Sequence, residues 1–487
     1  MWSVGRNHNE SEILGGRNLS VNSRPSLRSR FVLLGPIILL MVLAAATFTI
    51  TQILPQPPTR SALPLQCEVR VSDPAAGLIH VRMEFPAGAL SGRSYLDLTF
   101  WDLHRQPEAL KSVAAWIDDK PLAVTRPFWK SAHTRRITLN DASGTLVMEY
   151  SLDPTYYAPG VEVIEPADAV SRVTADLAVL RTTSTFPVMN PDGLTIRVVF
   201  RLPAGWVAVT PWQADGNGFL IPPEQQATEY VALGPFQIQE ITVGGATMRA
   251  AVSPAADTIP LETIASIMRF ELNLLGAPPP GAGNVYAATV VPQEFMNGGS
   301  AGQRSTVQIP GPDTLAHEMF HWWNTSSHTG QEAKWFQEGF TEYYGVKIAS
   351  EAGAWLPEQA NQCMADLNGE MRFLEQNNPR SLMDVSRNST GDSYARRLVY
   401  SKGALFALSL DRQLQAQGRN LDEVMRVVLD DPRQDLNNDA LKAIFHDTYG
   451  GMVDPAFEAY VIKGDALPDL GLGPASGESG CARYLPE

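Results

Sequence analysis

A His-Glu-Met-Phe-His motif at residues 317–321 carries the side chains best suited to chemistry in this sequence. On a helix, residues four apart lie on one face, so His317 and His321 can direct both imidazoles at a single metal ion. Glu318 is rotated from them by about 100° and can reach a water on that metal instead of the metal itself. Asp313, just before the motif, is a suitable N-cap for such a helix. Because three fixed positions arise by chance in roughly one sequence of this length in twenty, two surface histidines on an amphipathic helix are the alternative.

A second segment, residues 335–344, is aromatic and supplies carboxylates at a useful distance along the chain. Glu338 on this predicted helix completes a set of two histidines and one carboxylate with an open fourth position, which is what catalytic zinc requires. Glu342 lies one turn later on the same face and can accept the free ring N–H of a ligating histidine. The alternative for Glu342 is a solvated helix carboxylate. The sequence therefore predicts one zinc ion per chain, bound by His317, His321 and Glu338.

The elements that must position these residues divide the chain in two. Short runs of alternating polar and apolar residues, bounded by Gly, Pro, Asp or Asn, fill the first half and predict strands of a sandwich or saddle-shaped sheet. The second half predicts a helix over 261–275, strands over 284–291 and 305–309, and mainly helices from 313 to about 465. The predicted fold class is α+β, with a β-rich N-terminal domain at 65–245, a mainly helical catalytic domain at 246–470 and a loose tail at 471–487.

The N-terminal sequence predicts where in the cell the protein is located. Residues 1–30 carry five arginines and no lysine, and residues 31–54 form a run of 24 residues without a charge. At 1.5 Å per residue this run can cross roughly 30 Å of hydrocarbon, and the positive-inside rule places the N-terminus in the cytoplasm. We therefore expect a cytoplasmic tail, a single-pass anchor in the lipid bilayer, a Pro-rich linker at 55–64 and a catalytic domain on the periplasmic or extracellular side. A signal peptide cleaved near 44–46 is the alternative.

Composition excludes several classes of protein. Of the 487 residues, 44% are hydrophobic and 18% are charged, so most of the chain should fold. The net charge of −14 argues against a nucleic-acid partner, because phosphate binding needs a basic surface. Cys67, Cys363 and Cys481 are too few for a disulfide scaffold or a Cys-rich zinc module. They allow one disulfide at most, and the sequence does not choose the pair or set the oligomeric state.

Three segments together resemble the glycyl aminopeptidase family of gluzincin zinc metallopeptidases, which is related to the aminopeptidase N-like enzymes. They are the motif at 317–321, WFQEGFTEYYG at 335–345 and VYSKGAL at 399–405, with a weaker likeness at 457–468. The resemblance implies a β domain followed by a thermolysin-like domain that hydrolyses peptide substrates. It also implies His317, His321 and Glu338 on zinc, Glu318 as general base, and Tyr400 as the hydroxyl that stabilises the tetrahedral oxyanion. The chain has too few residues after 470 for the PDZ domain of many relatives.

Two of these assignments have alternatives. On composition alone, Tyr400 reads as a core tyrosine at the head of an apolar helix. Aminopeptidases of this kind hold the substrate's α-amine with a glutamate on a Gly-rich edge strand. The corresponding stretch at 297–304 has no acid, and Ala301 or a neighbour occupies the expected position. Gly298 and Gly299 can still bind an extended peptide by strand addition. An aminopeptidase, an endopeptidase lacking amine recognition and a zinc-binding pseudoenzyme that acts as an interaction module therefore remain open.

Overall fold

Alternating residues in the first half bury every second side chain, which is why this half forms sheets. Ile79–Phe85, for example, alternates buried and exposed positions along its length. Three sheets result, and nearly all their pairs are antiparallel. Their strands are β1 (Leu65–Arg70), β2 (Ile79–Phe85), β3 (Tyr95–Thr99), β4 (Leu110–Ile117), β5 (Lys120–Pro121), β6 (Val124–Thr125), β7 (Thr134–Thr138), β8 (Leu146–Leu152), β9 (Arg172–Val173), β10 (Ala178–Arg181), β11 (Val188–Asn190), β12 (Ile196–Arg201), β13 (Val207–Val209), β14 (Gln213–Asp215), β15 (Gly218–Ile221) and β16 (Tyr230–Gly234).

The largest of these sheets has eight strands in the order β14-β15-β12-β1-β2-β8-β4-β5. Its β1 and β12 run parallel, with Leu65 opposite Ile196. The two four-stranded sheets have the orders β13-β16-β10-β9 and β11-β3-β7-β6. Buried side chains from all three sheets form one hydrophobic cluster, which gives this half its own core.

The second half is built on a five-stranded sheet, here called the C-terminal sheet. Its order is β17-β18-β19-β21-β20, with parallel pairs in the middle and antiparallel pairs at both edges. The strands are β17 (Gln237–Val243), β18 (Ala246–Val252), β19 (Val285–Val290), β20 (Gly299–Ala301) and β21 (Ser305–Gln308). Since β17 already belongs to this sheet, the change between halves comes before residue 245, where sequence patterning placed it. In β17 only Ile241 is buried, so the strand's pattern does not reveal which sheet it joins.

One short helix, α1 (Thr182–Thr185), lies among the strands of the first half. The other helices belong to the second half, as the predicted α+β class requires, and α2 and α3 among them pack against the C-terminal sheet. They are α2 (Leu261–Leu275), α3 (Pro312–Phe320), α4 (Thr341–Glu351), α5 (Pro357–Glu375), α6 (Leu382–Asn388), α7 (Ser393–Gln415), α8 (Asp422–Leu429), α9 (Asn438–Tyr449) and α10 (Asp454–Ala456), with π-helical turns at Trp335–Phe340 and Phe457–Lys463. A large cluster of buried residues runs from Ile241 to Cys481, and a smaller one contains residues of both halves. The two halves therefore share packing, and residues 62–487 fall into one compact unit.

The structure is a computed structural model of the protein. It describes residues 63–476 and Cys481, except 101–106, 129, 131, 140–143, 155–170, 191–193, 227, 257–258, 277–283, 297, 325–328, 377–378, 432 and 434. The predicted cytoplasmic tail, membrane span and most of the linker lie outside the described residues. Among the helices that are described, none is both long and apolar enough to span a bilayer.

The end of the chain, predicted to be a loose tail from 471, is anchored where it is described. Cys481 is buried and forms a disulfide with Cys363 on α5. The backbone N–H of Ser476 donates to the Asp366 carboxylate over 2.6 Å. Cys67 is the remaining thiol and is buried in β1. A Gly- and Ser-rich composition did not reveal this anchoring, because it depends on which cysteine lies opposite Cys481.

Candidate metal centre

Helix α3 carries the motif and is enclosed on all sides. It packs against α4 on one side and against β20 and β21 on the other. Its first residue is Pro312, a favoured position because the missing N–H would have no helical partner there. Asp313 lies inside the first turn and Gly311 is the N-cap, so the predicted capping role of Asp313 is wrong. His317 and His321 are only 2% and 9% exposed, which excludes two surface histidines on an amphipathic helix.

The three predicted ligands converge. The imidazole centroids of His317 and His321 are 5.0 Å apart. Glu338 Oε2 lies 3.8 Å from His317 Nε2 and 3.5 Å from His321 Nε2. One ligand atom from each residue fits within 4.8 Å of the others, and Glu318 is not part of this group. Two imidazoles and a carboxylate around one point match the zinc-binding set predicted from the sequence.

Glu338 reaches this point from the π-helical turn at Trp335–Phe340. A π turn is wider than an α turn and is frequent at functional sites, because it redirects side chains within a helix. Buried aromatic residues hold the turn: Trp335 Nε1 donates to Asn438 over 2.8 Å, and its ring contacts Phe340 and Phe406 edge-on. Glu338 itself keeps 16% of its side chain exposed, so the ligand cluster has an open side.

The second nitrogen of each imidazole faces an oxygen atom. His317 Nδ1 lies 2.8 Å from Glu342 Oε2, and His321 Nδ1 lies 3.0 Å from the carbonyl oxygen of Asn324. An acceptor on Nδ1 fixes the tautomer in which the Nε2 lone pair is free for a metal. Glu342 is 3% exposed, so it is not a solvated helix carboxylate. The α4 backbone comes this close because Gly345 has no side chain: a Cβ there would lie 3.1 Å from His317 Cβ.

Electrostatics in the cluster favour a cation. Burial acts to lower the pKa of His317, but the Glu338 and Glu342 carboxylates raise it to about 10. Burial acts to raise the pKa of Glu338, yet the two imidazoles hold it well below its usual range. The buried cluster thus stabilises positive charge between its nitrogens and carboxylates. A divalent cation satisfies that requirement, and these residues fit zinc.

Glu318 faces a different neighbour. Gly299 on edge strand β20 lies against it, and a Cβ at that position would be 2.6 Å from Glu318 Oε1. Burial raises the pKa of Glu318, although the nearby imidazoles act in the opposite direction. A carboxylate whose pKa is raised toward neutrality is better suited to accept and return a proton. The hydroxyl of Tyr286 donates to the backbone carbonyl of Glu318 over 3.1 Å and fixes the main chain there.

Tyr400 and the glycine pair lie beside the cluster. The Tyr400 ring on α7 stacks near His317, with centroids 5.9 Å apart and planes inclined by 23°. The carbonyl of Gly298 accepts a hydrogen bond from Ile309 N over 2.9 Å, and Gly299 pairs with Gln308. Both glycines therefore belong to the edge of the C-terminal sheet that borders Glu318.

From the sequence, Asn324 is a candidate to cap or pin the end of the helix that carries the motif, because it lies three residues after His321. Its side-chain amide donates to the carbonyl of Gln337 over 3.1 Å and to Thr341 Oγ1 over 3.0 Å. Since its own carbonyl accepts from His321, this residue ties the end of α3 to the segment that carries Glu338. Its place three residues after the second histidine was the available signal, but the partners come from a segment distant in sequence.

Comparison with known proteins shows a shared fold. The chain is similar to an aminopeptidase N family protein from Idiomarina loihiensis, with a TM-score of 0.66 and 16% identity over 84% of this chain and 77% of that one. It is also similar to a mutant M1 zinc metallopeptidase from Deinococcus radiodurans, bound to a Tyr-Ser-Ala substrate. That match has a TM-score of 0.54 and 17% identity over 84% of this chain and 95% of the other. No family model and no curated protein matches the sequence.

Proposed function

We propose that this chain is a zinc metallopeptidase of the gluzincin class, related to the glycyl aminopeptidases and to the aminopeptidase N-like enzymes. The observation that carries the proposal is the convergence of His317, His321 and Glu338 in a buried cluster that stabilises positive charge. The similarity in fold to M1 zinc metallopeptidases supports it. The zinc count of one per chain follows from the single cluster of this kind among the described residues.

The catalytic roles follow from position. When bound by His317, His321 and Glu338, zinc supplies Lewis-acid activation of water and of the scissile carbonyl. Glu318, buried and next to the ligands, accepts the proton of the attacking water and returns it to the leaving amine. The Tyr400 hydroxyl, on the helix beside His317, donates to the oxyanion as it forms. Glu342 keeps His317 in its metal-binding tautomer.

The substrate is an extended peptide that adds to strand β20. This strand ends the C-terminal sheet, so its outer backbone groups can pair with a peptide main chain. Gly299 brings that edge against Glu318, which places the scissile bond beside the general base. The fold likeness favours an aminopeptidase.

One feature favours an endopeptidase instead. By the family resemblance, Ala301 or a neighbour takes the place of the amine-binding carboxylate of aminopeptidases, and no residue of 297–304 is acidic. Glu229, which contacts the turn after β20, accepts from Arg304 Nε over 3.0 Å and from Ser305 Oγ over 2.7 Å. This carboxylate is fully buried and already paired, so it does not offer its charge to a substrate amine.

We also propose that the chain acts outside the cytoplasm, anchored by residues 31–54. The disulfide between Cys363 and Cys481 supports this, because such bonds persist in oxidising compartments. Spheroplasts or intact cells treated with a protease that cannot cross the membrane would test it: digestion of the catalytic domain is expected, and full protection would contradict export.

Hydrolysis of matched peptides tests the enzymatic proposal. The purified chain should cleave a peptide series, lose activity on chelation and regain it with zinc. Glu318→Gln should retain zinc and lose hydrolysis by several orders of magnitude. A zinc-bound native chain without turnover would indicate a pseudoenzyme, and a chain without stoichiometric zinc would overturn the proposal. Comparison of peptides that have a free N-terminal amine with N-acetylated peptides then decides the class of peptidase. Equal rates of cleavage indicate an endopeptidase, and failure to cleave the acetylated series indicates an aminopeptidase.

A further inference from the structure

Two glycines meet where the π-helical turn crosses helix α7. Gly339 follows the ligand Glu338, and Gly403 lies three residues after Tyr400. A Cβ on Gly339 would be 2.4 Å from Gly403 Cα, and a Cβ on Gly403 would be 2.8 Å from Gly339 Cα and from the Trp335 carbonyl oxygen. Since real Cβ contacts essentially never fall below 3.0 Å, neither position accepts a side chain at this spacing. The two backbones are therefore in direct contact.

Helix α7 cannot readily move away from this contact. On α7 the ammonium of Lys402, which has no exposed surface, donates to Glu375 over 2.7 Å and to the Arg380 carbonyl over 2.6 Å. A buried ammonium that lost these partners would be strongly destabilising, so the pair holds α7 in place.

The π-helical turn is held from its own side as well. The backbone N–H of Trp335 donates to Ser386 Oγ over 2.9 Å, and its indole donates to Asn438. The Trp335 ring also packs edge-on against Phe457. Both elements are thus fixed on their outer sides, and the glycine contact sets the distance between them.

We infer that the contact between Gly339 and Gly403 sets the distance between Tyr400 and the ligand Glu338, which makes both glycines positioning residues. The inference rests on the proposed function, because it concerns the fit of Tyr400 to the oxyanion. Each glycine is close in sequence to the residue that it positions. One peptide bond joins Gly339 to Glu338, and less than one helical turn separates Gly403 from Tyr400.

The geometry gives the size of the effect. A methyl group on Gly403 would start 2.8 Å from Gly339 Cα, and ordinary contact begins at 3.4 Å. Full relief of the clash separates the two elements by about 0.6 Å, 3.4 minus 2.8. Because a misplacement of about 1 Å can cost about 100-fold in rate, Gly403→Ala should lower kcat by about 10- to 100-fold. KM and zinc content should change little, since Asn324 ties the segment that carries Glu338 to the end of α3.

A double-mutant cycle tests whether the effect passes through Tyr400. Steady-state kinetics would be measured for the native chain, Gly403→Ala, Tyr400→Phe and the double variant, with zinc content determined for each. We expect the double variant to be no slower than Tyr400→Phe alone, because the hydroxyl being positioned is already gone. Independent effects that multiply, an unchanged kcat in Gly403→Ala, or loss of zinc from that variant would each overturn the inference.

A second variant covers the case in which Gly403→Ala does not fold. Glu375→Gln keeps the size of its side chain but weakens the hold on Lys402, so α7 can shift. It should lower kcat by about 3- to 10-fold in the native background and have no effect in the Tyr400→Phe background. An equal loss in both backgrounds would contradict the positioning role. If the native chain shows no zinc-dependent hydrolysis, the proposed function fails and this inference fails with it. If the native chain hydrolyses peptides but the effects of the two substitutions multiply, only the inference is overturned.

Discussion

The disulfide at the C-terminus makes a quantitative prediction about stability. Cys363 and Cys481 are 118 residues apart in sequence, so the bond closes a long loop in the unfolded chain. When the bond is treated purely as a restriction of the unfolded chain, the loop-closure entropy of 118 residues corresponds to about 5 kcal/mol at 25 °C. Replacing both cysteines with alanine should therefore lower the free energy of unfolding by several kcal/mol and make it insensitive to reductant.

Urea unfolding followed by tryptophan fluorescence, with and without reductant, measures this effect. Cys67→Ala is the control, because it removes the free thiol and keeps the bond. That variant should lose as much stability on reduction as the native chain does. A double variant that unfolds within about 1 kcal/mol of the oxidised native chain would refute the reasoning, since it would show that the bond does not constrain the unfolded chain.

Substitutions at three single residues should change activity, zinc binding or stability. Gly299→Ala should lower kcat by about 100-fold with zinc retained, because its methyl would lie 2.6 Å from Glu318 Oε1; wild-type kinetics would contradict this contact. Glu342→Gln should weaken zinc binding by about 10- to 100-fold, measured by competition with a chelating dye, and unchanged affinity would show that its contact with His317 is not used. Burial raises the pKa of Glu271, on α2, well above 4.5 in the folded chain. Its carboxyl is therefore neutral in the folded and the unfolded chain below pH 4.5, where stability is greatest, and stability falls as pH rises toward the folded-state pKa. Glu271→Gln should thus gain stability over the native chain by about 1.4 kcal/mol per pH unit above pH 4.5, and parallel melting curves across pH 5 to 7 would contradict this.

The chemistry of the site could be read from the sequence because it depends on local spacing. His317 and His321 must lie one helical turn apart to share a metal, and that constraint is visible in five residues. Glu338 was found through the aromatic segment around it, which turned out to be a π-helical turn. Glu342 was a candidate because of its place one turn later, and its Oε2 lies 2.8 Å from His317 Nδ1.

The features that the sequence did not reveal depend on elements that meet only in the folded chain. Gly339 and Gly403 are 64 residues apart (403 minus 339), and nothing in either segment shows that their backbones touch. The pairing of Cys481 was open for the same reason. The pairing of Glu229 with Arg304 joins the β half to the C-terminal sheet, so local patterns could not indicate it.

Anomalous diffraction at the zinc absorption edge, from crystals of the purified chain, tests the central claim most directly. The account predicts one strong peak per chain, about 2.0–2.2 Å from His317 Nε2, His321 Nε2 and a Glu338 carboxylate oxygen. A map with no peak there, or with the metal bound by other residues, would contradict it.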